Sequence, residues 1–152
     1  MTTLHLMIGL PCSGKTTYAK ELSLRERALV LTPDAWQVTL FGQDFPGPYH
    51  DQRHSDIEGI MWDVAERVLS LGTSVILDFG FWARVERDDF RNRAKNLGVH
   101  FKLHYMDVPY PELYRRLEER NRNLPEGAFA IPKQEMDRFI TIFQAPAADE
   151  LI

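Results

Sequence analysis

Short apolar segments alternate along the chain with longer segments whose apolar residues recur at helical spacing. The apolar segments have the length of buried strands, and strands are predicted at residues 4–10, 28–32, 74–79 and 100–108. Helices are predicted at residues 16–24, 56–72, 85–98, 111–122 and 132–143. This alternation is typical of an α/β fold with a parallel sheet covered by helices on both faces. Two longer loops, at residues 41–55 and 123–131, remain, and loops of this length are often functional.

The composition is that of an ordinary globular protein. Hydrophobic residues make up 44% of the 152 residues, charged residues make up 26%, and the net charge is −4. A single domain, residues 1–152, is expected, and the net charge provides no overall basic field for nucleic acid. Cys12 is the only cysteine, which excludes an internal disulfide. The sequence has no apolar run of membrane-spanning length and no signal peptide, so a cytoplasmic location is expected by default.

The most specific motif is Gly9-x-x-x-x-Gly14-Lys15-Thr16, within the stretch GLPCSGKTTYAKEL. It follows a predicted strand and precedes a predicted helix, which is the context that a phosphate-binding P-loop requires. Its glycines let the backbone wrap closely around a phosphate chain, with successive N–H groups and the helix N-terminus facing the negative charge. The alternative is an accidental glycine-rich turn, which the agreement of pattern and context disfavours.

The motif predicts chemical roles for individual residues. The Lys15 ammonium is predicted to reach the β- and γ-phosphates of ATP, and the Thr16 hydroxyl is predicted to bind Mg²⁺. Cys12 occupies a variable position of the loop, and we interpret it as a small filler. The predicted nucleotide-binding residues of the loop are Gly9, Pro11, Cys12, Ser13, Gly14, Lys15, Thr16 and Thr17.

Two arginines in the second half of the chain are candidates for contacting the transferred phosphate. In RRLEERNR, residues 115–122, Arg116 and Arg120 are four positions apart and share one face of a predicted helix. Phosphoryl transfer needs such cations because charge spreads over the γ-phosphoryl oxygens. The alternative is a solvated face on which the arginines and glutamates of this segment pair with one another. The P-loop upstream favours the first interpretation, and Pro125 and Gly127 suit a mobile loop after the helix.

The P-loop, the aspartate after the second strand, VILDFGFW and RRLEERN together resemble the small P-loop kinases. These are adenylate-kinase-like and polynucleotide-kinase-like enzymes, with chloramphenicol phosphotransferase, zeta toxin and a bacterial "predicted kinase" set as relatives. The resemblance covers about residues 4–150. It implies a three-layer, adenylate-kinase-like fold with a four- or five-stranded parallel sheet and a short lid at about residues 115–131. In that branch one lid arginine lies near adenine or phosphate and the next contacts the transferring phosphate, roles that would fall on Arg116 and Arg120.

Asp34 follows the second predicted strand, in VLTPDAWQ. A carboxylate at the carboxyl edge of a parallel strand faces the crevice where ligands bind, and there it could accept a proton from an acceptor hydroxyl. The similar polynucleotide kinases have a catalytic aspartate here and an arginine behind it, but this chain continues with Ala35, Trp36, Gln37 and Val38. The missing arginine favours a hydroxyl acceptor over a phosphate acceptor. The alternative role of Asp34 is that of a helix N-cap.

Asp78 ends the third predicted strand, in VILDFG, at a place that resembles a Walker B aspartate. Such a carboxylate orders Mg²⁺ through water, so Thr16 and Asp78 form the predicted metal site. In the similar nucleoside monophosphate kinases an arginine after this strand grips the acceptor phosphate, a role that Arg84 could take. A solvated charge at the start of a helix is an equal alternative for Arg84. Trp82 follows the same strand and is predicted to border the acceptor.

The loop 41–55 is predicted to contact the acceptor because it mixes aromatic and polar residues. Arg53 is its single arginine, and without lysine the loop does not provide a basic groove for a polynucleotide. His50 and His54 have the i, i+4 spacing of zinc ligands on a helix, but the prolines of the loop argue against a helix and no third ligand is evident. The predicted acceptor residues are Asp34, Arg53, Trp82 and Arg84.

These features predict an enzyme that moves the γ-phosphate of Mg-ATP to a hydroxyl of a small molecule. Its predicted catalytic residues are Lys15, Asp34 and Arg120. A polynucleotide 5′-hydroxyl kinase and a nucleoside monophosphate kinase remain alternatives. An ATPase or nucleotide switch that transfers nothing is an alternative from another class. A monomer or small homo-oligomer is expected, with no membrane partner and with nucleic acid as a possible but less favoured partner.

Overall fold

The computed structural model describes residues 1–151, and a parallel sheet forms its centre. The strands are β1 (Thr3–Ile8), β2 (Leu29–Leu31), β3 (Val75–Gly80) and β4 (His100–Tyr105), in the order β2-β3-β1-β4. All three neighbouring pairs are parallel. The predicted α/β fold with a parallel sheet is confirmed, and the sheet has four strands. The strand predicted at residues 100–108 ends earlier, at Tyr105.

Within residues 1–151, six α-helices connect and cover the strands. They are α1 (Lys15–Glu26), α2 (Pro33–Phe41), α3 (His50–Ser70), α4 (Arg84–Leu97), α5 (Tyr110–Arg122) and α6 (Lys133–Ile142), and a 3₁₀ turn follows at Ala148–Glu150. The last three helices agree with their predicted ranges to within one residue at each end. None of the helices described is both long and apolar enough to cross a membrane.

The loop predicted at residues 41–55 is wrong at both ends. Helix α2 includes Phe41 and helix α3 begins at His50, so only residues 42–49 lie outside helices. The prolines of this connection precede α3, and proline is excluded from a helix interior but not from the residues before it. The helix therefore places His50 and His54 one turn apart, contrary to the prediction made from the prolines.

Three buried apolar clusters fill the space between the layers. One, which includes Met61, lies between the sheet and helices α3 and α4, and another, which includes Leu22, lies between the opposite sheet face and α1. The third joins Leu10 beside the P-loop to Leu117 of α5 and Phe129 of the following loop. The sheet is thus covered on both faces, and the third cluster holds the chain after α5 against the carboxyl edge of the sheet.

A buried histidine pair links β1 to β4 on the face that α1 covers. Nδ1 of His5 lies 3.0 Å from Nε2 of His104, and the ring of Tyr18 packs against His104. Burial lowers the pKa of both histidines, and that of His104 falls to about 4. Two neutral rings can share this hydrogen bond, whereas a second charge in the pair would be both buried and repelled.

We expect acid to destabilise the fold through this pair. An unfolded histidine titrates near pH 6.5 and the folded pKa of His104 is lower, so the unfolded chain binds more protons as the pH falls between these values. The stabilisation is therefore fully present above pH 6.5 and is lost on acidification. The free energy of unfolding, measured by urea denaturation, should fall in the wild type when the pH is lowered from about 7 to about 5. In His104→Gln this fall should be smaller by about 2 kcal/mol.

His100→Gln is the matched control, because His100 is exposed on the same strand. It should show the wild-type dependence on pH. A His104→Gln variant that lost as much unfolding free energy as the wild type would contradict a role for the pair in acid sensitivity.

Candidate active site

The loop between β1 and α1 is a tight turn in which two glycines are required by geometry. A Cβ atom on Gly9 would lie 2.5 Å from the Ser13 hydroxyl oxygen, which no side chain can accommodate without displacement. Gly14 has φ 91°, in the left-handed region that glycine adopts without strain. The turn ends at Lys15, the first residue of α1, so the N-terminus of α1 opens onto the loop.

Lys15 lies at the floor of this turn, where its ammonium donates to the Leu10 carbonyl oxygen at 3.2 Å. Burial lowers the pKa of Lys15, and the carboxylates of Asp78 and Asp34 act in the opposite direction. The three charges therefore share one region at the carboxyl edge of the sheet. A half-buried ammonium here is available to an anion that enters the turn.

Asp78 of β3 lies beside the first turn of α1, as the predicted metal site requires. Its Oδ2 accepts hydrogen bonds from the Thr16 hydroxyl at 2.8 Å and from the Thr32 hydroxyl at 3.1 Å. Its Oδ1 is buried without a hydrogen-bond partner in residues 1–151. Burial raises the pKa of Asp78, and Lys15 lowers it. An unpaired carboxylate oxygen next to a hydroxyl is a hard oxygen donor set that fits Mg²⁺, with Thr16 and Asp78 as the residues that would hold it.

Trp82 contacts the entrance of the P-loop. Its indole Nε1 donates to the Gly9 carbonyl oxygen at 3.1 Å, and the Gly9 amide donates to the Gly80 carbonyl oxygen at 3.1 Å. Arg87, buried and paired with Glu150, donates to the Phe81 carbonyl oxygen at 2.9 Å. The segment after β3 is thus held by Arg87 at the Phe81 carbonyl and by the P-loop at Trp82, and the Trp82 side chain packs against the start of the P-loop.

Arg116 and Arg120 of α5 both face the P-loop. Arg116 donates to the Cys12 carbonyl oxygen at 3.2 Å, and Arg120 Nη1 lies 3.7 Å from the Cys12 sulfur. Arg120 also donates to the Phe129 carbonyl oxygen at 2.7 Å, while its Nε is buried and lacks a partner among the residues described. This helix also has solvated ion pairs: Arg115 pairs with Glu112 and Arg122 with Glu118, and the Nε of Arg116 donates to Glu112 at 3.0 Å while its Nη1 reaches the P-loop. One face of α5 is therefore an ordinary charged surface, and the other carries two arginines over the phosphate loop.

The loop 123–131 is held against the connection between α2 and α3. The Gln43 side chain donates to the Ala128 carbonyl oxygen at 2.8 Å and accepts from the Ala130 amide at 2.9 Å. Gly127 packs so closely on Ala35 that an added Cβ would lie 3.3 Å from the Ala35 Cβ. Residues that bind this loop had no signal in the sequence, because their partners lie up to 87 positions away.

We expect Gln43→Ala to loosen this loop without unfolding the protein. Two hydrogen bonds are lost, each with a net contribution of about 1 kcal/mol, so amide exchange near residue 130 should accelerate by about thirtyfold. Hydrogen–deuterium exchange by mass spectrometry would measure this. Gln52→Ala is the matched control, because Gln52 is also exposed but bonds only to Asp56 of its own helix. Unchanged exchange in Gln43→Ala would contradict the bridging role.

Asp34 lies in the first turn of α2, at the same edge of the sheet as the P-loop. Thr32 occupies the N-cap position and Pro33 the first helical position, so Asp34 is not the N-cap. Its carboxylate is 46% exposed, and His54 Nδ1 lies 3.8 Å from its Oδ1. The carboxylate is therefore free to meet a molecule that enters beside the P-loop.

The polar residues of the α2–α3 connection form a network around one buried amide. Gln37 is fully buried, and its Nε2 lies 3.0 Å from Asp44 Oδ2 and 3.0 Å from the His50 carbonyl oxygen. His50 Nδ1 lies 2.8 Å from Asp44 Oδ1, and these hydrogen bonds hold the pKa of Asp44 below its usual range despite its burial. The two histidines are used in this network, and residues 1–151 contain no group of three or more His, Cys, Asp or Glu placed to bind a metal ion. Sequence reasoning missed Gln37, which carries no recognisable motif.

The remaining predicted acceptor residues have their charges balanced by protein groups. Arg53 donates to Asp44 at 3.3 Å, with its guanidinium 4.1 Å from the centre of the Phe41 ring. Arg84 forms an ion pair of 2.6 Å with Asp149, beside the C-terminal 3₁₀ turn. Among the loop residues predicted to bind nucleotide, Pro11 and Cys12 are half-buried, Ser13 is buried, and Thr17 is exposed on α1.

A family model described as an AAA domain, AAA_33, matches residues 4–146, which is most of the chain. The chain belongs to this family. The resemblance to the small P-loop kinases that the sequence predicts is confirmed. No curated protein is significantly similar to the chain in sequence.

Solved structures with the same fold include three of stated identity. One chain of the Pnkp1/Rnl/Hen1 RNA repair complex is 23% identical with a TM-score of 0.74, over 92% of this chain and 43% of that one. Kti12 from Chaetomium thermophilum in complex with ADP-AlF3 is 21% identical with a TM-score of 0.72, over 95% of this chain and 81% of that one. The APS kinase CysC from Mycobacterium tuberculosis, in complex with AMPPNP and APS, is 16% identical with a TM-score of 0.60, over 93% and 96%. The AAA_33 chain thus has a P-loop kinase-like fold, and it spans less than half of the RNA repair protein.

Proposed function

We propose that this AAA_33 protein is an ATP-dependent phosphotransferase that moves the γ-phosphate of Mg-ATP to a hydroxyl group of a small molecule. Lys15 would hold the β- and γ-phosphates, and Thr16 and Asp78 would hold Mg²⁺, which neutralises phosphate charge when it is bound. Arg120 would contact the transferring phosphoryl group, and Arg116 would contact the nucleotide. Asp34 would bind the acceptor hydroxyl and accept its proton.

The observation that carries the proposal is the convergence of Lys15, Asp34 and Asp78 at one edge of the sheet. Both carboxylates act on the pKa of Lys15, so all three lie within electrostatic reach of one another. Asp78 is engaged by two hydroxyls, whereas Asp34 is half-exposed and has no capping role. A second carboxylate that neither caps a helix nor joins the predicted metal site is suited to act on an acceptor.

The balance of charges supports a hydroxyl acceptor over a phosphate acceptor. A phosphate acceptor needs an unpaired cation near the base, but Arg53 is paired with Asp44 and Arg84 with Asp149. None of the residues at 35–38 is an arginine, and the polar one among them, Gln37, has its side chain buried in hydrogen bonds. The acceptor side therefore offers aromatic rings and the Asp34 carboxylate, which suit a neutral polar molecule.

A polynucleotide with a 5′-hydroxyl end is the second candidate acceptor. Phe41 and Tyr49 are 45% and 66% exposed, and the Arg53 guanidinium lies 4.1 Å and 5.3 Å from their ring centres. Exposed aromatic rings with an arginine can stack on unpaired bases.

The test is ATP consumption with mass detection of a phosphorylated product. The probes are D-gluconate, glycerol, a 5′-hydroxyl RNA oligonucleotide and adenosine 5′-monophosphate. Phosphorylation of a polyol would support the small-molecule proposal, and phosphorylation of the oligonucleotide would favour the second candidate. Phosphorylation of the nucleotide alone, or ATP hydrolysis that no member of a wider hydroxyl library accelerates, would overturn transfer to a small-molecule hydroxyl.

A further inference from the structure

His54 lies between the candidate base and a second carboxylate. Its Nδ1 is 3.0 Å from Gln37 Oε1 and 3.8 Å from Asp34 Oδ1, and its Nε2 is 3.4 Å from Glu58 Oε2. The side chain is 28% exposed, so the ring is held between α2 and α3 instead of extending into solvent. Both ring nitrogens therefore face oxygen atoms that can only accept hydrogen bonds.

Gln37 determines which hydrogen atoms His54 carries. The Gln37 nitrogen must face Asp44 and the His50 carbonyl oxygen, because both are acceptors and the amide NH₂ is the only donor of that side chain. Its oxygen then faces His54, which requires a hydrogen atom on Nδ1. The carboxylate of Glu58, 3.4 Å from Nε2, favours a second hydrogen atom on that nitrogen. The hydrogen-bond network thus favours the doubly protonated imidazolium.

The charges around His54 favour the same form. Carboxylates face it from three helices, namely Asp34 of α2, Asp51 and Glu58 of α3, and Glu86 of α4. The His50 ring stacks on it with a centroid distance of 5.8 Å, and His50 is engaged by Asp44. Burial alone would lower the pKa of His54, but the hydrogen bond and charge of Glu58, with Asp34 and Asp51, raise it above its ordinary value.

We propose that His54, as an imidazolium ion, is the positioning residue for the Asp34 carboxylate, and that phosphate transfer requires it to keep its second proton. This inference rests on the proposed function, in which Asp34 binds the acceptor hydroxyl. His54 is the one cation within ion-pair distance of Asp34 among the residues described. Its Nδ1 hydrogen is donated to Gln37, so its charge would hold the nearer carboxylate oxygen of Asp34 and leave the other for the acceptor. Its charge would also reduce the repulsion between Asp34 and the nearby phosphates.

The ion pair can be tested by NMR without nucleotide or acceptor, so the result does not depend on whether transfer occurs. The ring signals of His54 should titrate above pH 6.5 in the wild type. In Asp34→Asn the titration should move down by about 1 pH unit, since an opposite charge at this distance favours the imidazolium. Asp63→Asn, an exposed aspartate further along α3, is the control and should leave the titration in place. Titration below pH 6.5, or the same titration in Asp34→Asn, would overturn the proposal.

The positioning role is tested by transfer to whichever probe above is phosphorylated. His54→Gln can still donate a hydrogen bond but carries no charge, so kcat should fall by about tenfold with an unchanged KM for ATP. The wild-type rate should fall as the pH rises through the pKa of His54, and this alkaline limb should be absent in His54→Gln.

Two further variants distinguish positioning from a structural role. The double variant with Asp34→Asn should be no slower than Asp34→Asn alone, because His54 acts through that residue. Glu86→Gln should keep the alkaline limb, although burial and the charge of Glu58 raise the pKa of Glu86 to about 7, within the same range. Additive losses, or an alkaline limb retained in His54→Gln, would count against the proposal even if the NMR titration supported the ion pair.

Discussion

Replacing Lys15 with alanine should lower phosphate transfer by about 10³-fold or more, the lower end of what a well-placed cation contributes to phosphoryl transfer. The ammonium lies at the floor of the P-loop, in reach of the Leu10 carbonyl oxygen and the charge of Asp78. Without it the β- and γ-phosphates lose their fixed cation, so the affinity for Mg-ATP should fall as well. Isothermal titration calorimetry would measure binding, and product mass would measure transfer.

The fold should survive this substitution, because Lys15 contributes no apolar side chain to the buried clusters. Lys20→Ala is the matched control, since Lys20 lies on the same helix and is exposed. It should bind and use ATP like the wild type. Normal ATP binding and turnover by Lys15→Ala, with the melting temperature unchanged, would show that this loop is not a nucleotide site.

The parts of the fold that could be predicted are those with a strong local signal. The strand before Gly9 and the helix after Gly14 are specified within about 20 residues of sequence, and the motif requires a strand, a loop and a helix in this order. The apolar run that forms β3 and the glycine-capped helix α4 are equally local. Because parallel strands expose their carboxyl ends at one edge, Asp34 and Asp78 could be placed near the P-loop, Asp34 from its position after β2 and Asp78 from its position near the end of β3.

Helix α2 and the start of α3 could not be predicted because their patterns are weak. Helix α2 is PDAWQVTLF, a nine-residue segment with polar and apolar positions mixed around the helix and with few buried side chains. Its formation depends on packing against α3 and on the buried Gln37, which binds residues up to 17 positions away. The helix propensity of individual residues carries no information about such contacts, and the stability of a short helix depends mainly on tertiary packing.

Long-range pairs explain the rest of what the sequence did not reveal. Arg84 could be read as an acceptor cation or a solvated charge, and its ion pair with Asp149 links it to a turn 65 positions away. Gln43 and Asn121 both bind the backbone that follows α5; Gln43 belongs to no motif, and the motif that includes Asn121 assigned it no role. The residues that line the acceptor side are therefore the least predictable, since they depend on how loops meet across the edge of the sheet.

Asp34→Asn should lower transfer by about 10²–10⁴-fold, the range of general acid–base assistance, while Mg-ATP binding stays close to wild type. A hydroxyl acceptor must lose a proton as it attacks the γ-phosphorus, and an amide of the same shape can orient that hydroxyl but cannot take the proton. Intact ATP binding together with lost transfer would distinguish a phosphotransferase from an ATPase. An ATPase has no acceptor hydroxyl, so its hydrolysis rate would not depend on this carboxylate.

The structure also sharpens the control for this variant. Asp34 is not the N-cap of α2, so asparagine should change the stability through the helix dipole, by about 0.3–1 kcal/mol, and through the loss of the 3.8 Å ion pair with His54. Glu135→Gln removes an acidic side chain from the first turn of α6, where no phosphate group is expected, and should show a similar small change in stability with wild-type transfer. If Asp34→Asn transferred phosphate at nearly the wild-type rate, Asp34 would not be the base. Asp78, held by Thr16 and Thr32, would then be the next carboxylate to test.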